Sequence, residues 1–83
     1  MQIRIKYFAA IREAIGQSSE DLQTNAASVA QLRSELIARG SAYAHVLHAQ
    51  KAVRVALNQV MCEESAVLSD GAEVAFFPPV TGG

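Results

Sequence analysis

The chain ends in Phe76-Phe77-Pro78-Pro79-Val80-Thr81-Gly82-Gly83, and the reactive group this stretch offers is a terminal carboxylate. Two adjacent prolines fix φ and push the residue before them toward extended backbone, so the stretch reads as a stalk that projects. From Pro78 to Gly83 an extended chain reaches roughly 20 Å, enough to enter a pocket on another protein. Gly82 and Gly83 bring no side chains into a narrow channel. An α-carboxylate with a reference pKa of about 3.3–3.7 is ionised at neutral pH and resists nucleophilic attack, so chemistry at this end requires prior activation. No acid–base pair accompanies it, and the catalytic groups are expected on a partner. The plainer reading is a small-residue end without a role.

Other residues with chemical potential carry less. Cys62 sits in a short apolar run beside Glu63 and Glu64, which oppose thiolate formation, and reads as a small buried hydrophobe. His45 and His48 stand three apart with no third ligand near them in sequence, and read as surface residues of a short helix. Glu63, Glu64, Asp70 and Glu73 read as solvated loop and turn charges.

The elements that position the stalk follow from periodicity. Ile3, Ile5 and Tyr7 alternate with Arg4, Lys6 and Phe8, the pattern of a strand with one buried face. Residues 9–15 read as a short helix stopped by Gly16, and 19–23 as a strand supported by Leu22 alone. Residues 28–39 form the clearest helix: Ser28 and Gln31 have capping-box spacing, and Val29, Leu32, Leu36 and Ile37 make one apolar stripe before Gly40. A further helical turn is expected over 41–48. Residues 53–57 alternate again, Asn58-Gln59 marks a turn into a return strand over 60–62, and Asp70-Gly71 turns into a last strand over 74–77.

Strand, helix, strand, helix and then three strands favour a mixed sheet covered by the main helix on one face. Alternation puts Ile3, Ile5, Val53, Val55, Val74 and Phe76 against the helix. Arg4, Lys6, Phe8, Arg54, Ala56, Ala75 and Phe77 then share the opposite face, where two aromatics among three cations make a candidate docking surface. Alternatively, the aromatics pack under a loop. The three cations are either ordinary strand residues or the complement of an acidic patch on a partner.

The totals bound the function. Eighty-three residues make one small domain, and 51% apolar with 18% charged residues describes a globular chain. A net charge of −1 gives no electrostatic case for nucleic acid. A lone cysteine excludes an intrachain disulfide and fits a reducing compartment. No apolar run approaches the roughly 20 residues of a membrane span, and the start has no signal-peptide core. A cytoplasmic protein is expected, with neither nucleic acid nor membrane as partner.

Tyr7-Phe8-Ala9, Arg12-Glu13, Gly16, residues 53–59, Asp70-Gly71 and the run from Glu73 to Gly83 together resemble the small, sulfur-carrying subunit family of molybdopterin synthase. The resemblance covers essentially the whole chain. A terminal Gly-Gly alone suits a thiamine sulfur carrier or a ubiquitin-like modifier equally well, whereas Val-Ala-Phe-Phe-Pro-Pro-Val is far more selective. Ala72 departs from the acidic residue frequent in the family, and Thr81 replaces a frequent Ser.

The resemblance implies an α+β, ubiquitin-like β-grasp fold: a mixed sheet with one main helix on one face, a body over residues 1–78 and a flexible tail over 79–83. It implies that an ATP-dependent activating enzyme adenylates Gly83, which follows Gly82, and that sulfur then converts the carboxylate to a thiocarboxylate. The tail would enter the large synthase subunit, in a heterotetramer, and donate sulfur to cyclic pyranopterin monophosphate to build the molybdopterin dithiolene. It places partner contacts on Phe8, Met61 and Phe77 and along Pro78, Pro79, Val80 and Thr81, with no metal or cofactor held by this chain. A conjugated protein modifier and a plain interaction domain are the competing functions.

Overall fold

In the first strand, β1 (Gln2–Tyr7), Ile3, Ile5 and Tyr7 are all buried, as the alternation predicts. The computed structural model describes residues 1–79; Val80, Thr81, Gly82 and Gly83 lie outside the described residues. After β1 come α1 (Ala9–Ile15), β2 (Ser19–Gln23), α2 (Val29–Ile37), α3 (Ser41–Leu47), β3 (Arg54–Leu57), β4 (Val60–Cys62) and β5 (Glu73–Phe77). The five strands form one sheet in the order β2-β1-β5-β3-β4. Only β1 and β5 run parallel; every other pairing is antiparallel. This is the mixed sheet with α2 packed on one face that defines a β-grasp. Ile11 of α1 and Val46 and Leu47 of α3 join the same core, so two short helices assist the main one.

Local chemistry explains the element ends. Gly16 stops α1 in the left-handed conformation at φ 89°, donating its N–H to the Arg12 carbonyl. The Ser28 hydroxyl accepts from the Gln31 N–H at 3.3 Å, while the Gln31 amide oxygen accepts from Ala27 at 2.7 Å, one residue upstream of a standard capping box. The Val29 and Ala30 N–H groups donate to the carbonyls of Ala66 and Glu64, so a loop distant in sequence completes the helix start. Asn58 and Gln59 both take positive φ, 51° and 70°, the geometry of a two-residue hairpin turn. The Asn58 N–H donates to the Glu73 carbonyl and its amide oxygen accepts from the Glu73 N–H, tying that turn to β5. Gly71 and Asp70 clasp Gln2 from both sides of its peptide, fixing where β5 begins beside β1. Ala72, which reads as a turn position, is buried in the core cluster.

Two polar nodes hold the helices to the sheet. Arg33, on the buried side of α2, donates to the carbonyls of Leu47, His48 and Lys51 at 2.6, 2.7 and 2.8 Å and pairs with Glu64. Glu64 is therefore a partner of a buried cation rather than a solvated loop charge. Glu20 accepts from Tyr7, Tyr43, Gln17 and Arg39 at 2.8–3.0 Å, joining β1, β2, α3 and the segment after α2. Burial by itself would raise the Glu20 carboxyl, but hydrogen bonds from Arg39, Tyr7 and Tyr43 and the Arg39 charge outweigh it and hold it below its ordinary range. Burial, then the bond to Glu20, pushes the Tyr7 hydroxyl well above the usual tyrosine range.

Each node predicts a stability effect. Arg33→Ala strands buried carbonyls and should cost about 3 kcal/mol in urea unfolding. Glu20→Gln should cost on the order of 2 kcal/mol at neutral pH. Because the folded-state value of Glu20 lies below the ordinary 4.5, its stabilisation is complete above that value. It is lost as pH falls through the lower folded value, so wild type and Glu20→Gln should converge in acid unfolding curves. A gap that stays constant across the whole acid limb contradicts the assignment.

Candidate functional site

The central parallel pair delivers two strand ends to one edge. Tyr7 lies opposite Phe76, so the next residues, Phe8 and Phe77, emerge side by side on the face away from the helices. Their rings meet edge to face, with centroids 6.2 Å apart at 84°. The Phe8 N–H still donates to the Phe76 carbonyl at 3.1 Å, and the chain then turns abruptly into α1 through Ala9, a non-glycine residue at φ 52°. That conformation costs roughly 1 kcal/mol. It lets Phe8 stay in register with β5 while the backbone leaves for the other face. Phe8 is 43% exposed, and Phe77 is half-buried against it.

Register carries the face across the sheet. Arg54 lies opposite Phe77, Ala56 opposite Ala75 and Met61 opposite Ala56. Met61 is 51% exposed and shares the face with Phe8 and Phe77. Alternation within β4 alone could not assign it there; the two-residue Asn58-Gln59 loop does, because it fixes how 60–62 fold back on 55–57. Ala56 and Ala75 are buried rather than solvated, since methyl groups sit low between longer neighbours. The face is thus a shallow alanine floor with an aromatic ledge at one side and a methionine at the other.

Its charges are largely matched. Arg4 pairs with Asp21 at 2.9 Å and Lys6 with Glu73 at 3.4 Å, while Arg54 reaches no carboxylate among the described residues. Pro78 follows Phe77 half-buried, and Pro79 is exposed, so the described chain leaves the ledge through two prolines. On the helix side Pro78 and Pro79 also wall a groove shared with Ala10, Ala14, Val46 and Lys51. Val80, Thr81, Gly82 and Gly83, the remaining expected site residues, lie outside the described residues.

Cys62 is half-buried and packs against the core, and burial pushes its thiol up, away from nucleophilic thiolate. His45 and His48 are both exposed. Among the described residues, no three His, Cys, Asp or Glu side chains converge as a metal-binding group. Among them too, no helix is long and apolar enough to cross a membrane. This arrangement is equipped to be gripped: apolar side chains, a flat floor and charges around them that, Arg54 apart, are paired on the first strand.

Comparison with known proteins places this geometry. The ThiS family pattern matches residues 5–83. The molybdopterin synthase sulfur carrier subunit of Escherichia coli is 37% identical over 98% of this chain and 99% of its own length. The counterpart from Haemophilus influenzae is 36% identical over the same shares. Among solved structures, subunit 1 of the molybdopterin-converting factor of Helicobacter pylori, solved in complex with subunit 2, superposes with a TM-score of 0.72. It covers 100% of both chains at 23% identity, a likeness of ubiquitin-like β-grasp folds. With the family pattern and these relatives running almost from end to end, the chain belongs to the ThiS family and within it resembles the molybdopterin synthase sulfur carrier subunits.

Proposed function

We propose that this chain is the sulfur-carrying small subunit of a molybdopterin synthase, acting in molybdenum cofactor biosynthesis. The observation that carries the reading is end-to-end similarity to curated sulfur carrier subunits at 34–37% identity. The Phe8–Phe77 ledge, standing at the root of the tail, supports it.

On this reading residues 1–78 are a rigid body and 79–83 a tail. An ATP-dependent activating enzyme joins the Gly83 carboxylate to AMP and releases pyrophosphate. A sulfur donor then displaces AMP, leaving a thiocarboxylate. ATP is needed because a carboxylate is a poor acyl donor until one oxygen becomes part of a leaving group. The tail next enters the large subunit, which excludes water and supplies the acid–base groups, and sulfur passes to cyclic pyranopterin monophosphate. Water releases the Gly83 carboxylate, and a second round completes the dithiolene. Gly82 and Gly83 suit a narrow channel because any Cβ there would widen the tail. Phe8, Met61 and Phe77 grip the large subunit, and Pro78, Pro79, Val80 and Thr81 line the way in. The assembly is a heterotetramer in the cytoplasm, and this chain itself holds no cofactor.

Four measurements test this. Incubation with the activating enzyme, ATP and a sulfur donor should raise the intact mass by the difference between sulfur and oxygen, and removal of Gly83 should abolish the gain. Conjugates to other proteins in cell extract, dependent on Gly83, would favour a modifier instead. Phe77→Ala should weaken capture by the large subunit by about 2 kcal/mol, roughly thirtyfold, with a native melting profile. Unchanged affinity removes Phe77 from the interface. Complementation of a strain deficient in the small subunit should require Gly83.

A further inference from the structure

The cations on the open face are not equivalent, and the difference specifies part of the partner. Arg4 is held by Asp21 on β2 through two nitrogens, at 2.9 and 3.3 Å. Lys6 is held by Glu73 at the start of β5. Both pairs are already satisfied within the sheet. Arg54 is exposed on β3, opposite Phe77, and no carboxylate among the described residues lies within ion-pair distance of it. Glu64, which lines the same shallow groove as Arg54 and Met61, is engaged by Arg33, and Glu63 lines the groove without reaching the guanidinium.

We infer that Arg54 is a specificity residue of the docking face, and that the large subunit presents a carboxylate to it beside the pocket that receives Phe77. The inference rests on the sulfur-carrier reading and adds to it the charge of the partner at one position. Three observations converge on it. Its register neighbour Phe77 is half of the aromatic ledge, so a partner covering the ledge also covers Arg54. A guanidinium whose charge is not neutralised in its own chain loses hydration when covered, and that loss is offset most strongly by charge-assisted hydrogen bonds to an anion. Arg4 and Lys6 are matched, so of the three cations on the face Arg54 alone supplies a positive charge without an ion-pair partner among the described residues, and complementary charge at an interface margin selects partners and speeds encounter.

The test measures association of the full-length chain with the large subunit from the same organism, for wild type, Arg54→Gln, Arg54→Glu and Lys6→Gln. Arg54→Gln should weaken binding roughly fivefold and Arg54→Glu by tenfold or more, mostly through slower association. Lys6→Gln, which removes a charge already paired inside the chain, should change it less than about twofold. The gap between wild type and Arg54→Gln should narrow as salt is raised, because screening weakens an exposed ion pair. Arg54→Glu binding as tightly as wild type, or Lys6→Gln and Arg54→Gln losing affinity equally, overturns the inference while leaving the carrier reading intact. Failure of wild type to bind the large subunit overturns both. Arg54 is exposed, so native melting of each variant confirms that differences arise at the interface.

Discussion

The structure depends on one pairing, the parallel ladder between the first strand and the last. Parallel neighbours finish at the same edge of a sheet, and here they are the central pair, buried beneath the helices. Tyr7 and Phe76 stack beneath it, 6.4 Å apart at 17°, both essentially without solvent exposure. One step further along each strand the side chains switch faces, and Phe8 and Phe77 come out together. The aromatic ledge, the sharp turn through Ala9 and the exit of Pro78 from the body all follow from that shared edge. A slip of one residue in the ladder would bury Phe8 and expose Tyr7, which is why Asp70 and Gly71 clasp Gln2 at the far end.

The helices of this domain are too short to stand alone. α1, α2 and α3 have seven, nine and seven residues, below the roughly 12–15 at which isolated helices become marginal. Packing supplies part of what holds them, and the two polar nodes supply the rest of the geometry. Arg33 gathers the end of α3 and the loop after it by their carbonyls, so a loop without regular structure is held by a side chain. Glu20 does the same at the opposite edge, collecting two hydroxyls, an amide and a guanidinium on one carboxylate. Arg33 comes from a helix that already presents an apolar stripe to the core, and Glu20 from an edge strand with Leu22 as its one apolar residue; each charge is tolerated where it stands because hydrogen-bond partners surround it.

The fold was legible where it depends on neighbours in sequence. The alternation in residues 3–7, the Ser28 cap, the Gly16 stop and the Asn58-Gln59 turn are local features, and each appears in the structure where periodicity and turn chemistry predict it. β2 was expected on Leu22 alone and is a true edge strand, because its pairing with β1 carries it rather than its own composition. Arg33 was invisible: at its place in the helix an arginine reads as polar surface, and only the carbonyls of residues 47–51, brought close by the tertiary fold, make burial tolerable. Glu64 was misread for the same reason. Of the candidate site, Phe8 and Phe77 followed from alternation, while the position of Met61 on their face needed the hairpin register, and the burial of Ala56 and Ala75 needed the heights of neighbouring side chains.

The adjacency of ledge and tail root has a consequence for any protein that handles this chain by its C-terminus. A partner that grips Phe8 and Phe77 holds a point one residue from Pro78, and two prolines transmit direction with little loss of order. Binding at the face therefore raises the effective concentration of the chain end in the partner's pocket, and the gain is larger for a stiff connection than for a flexible one of equal length. Replacing the prolines with glycines would leave the face untouched and still spread the chain end over a larger volume. On the proposed reading affinity and delivery are therefore separable: the ledge would set how tightly the body is held, and the prolines how often the chain end arrives in the partner's pocket.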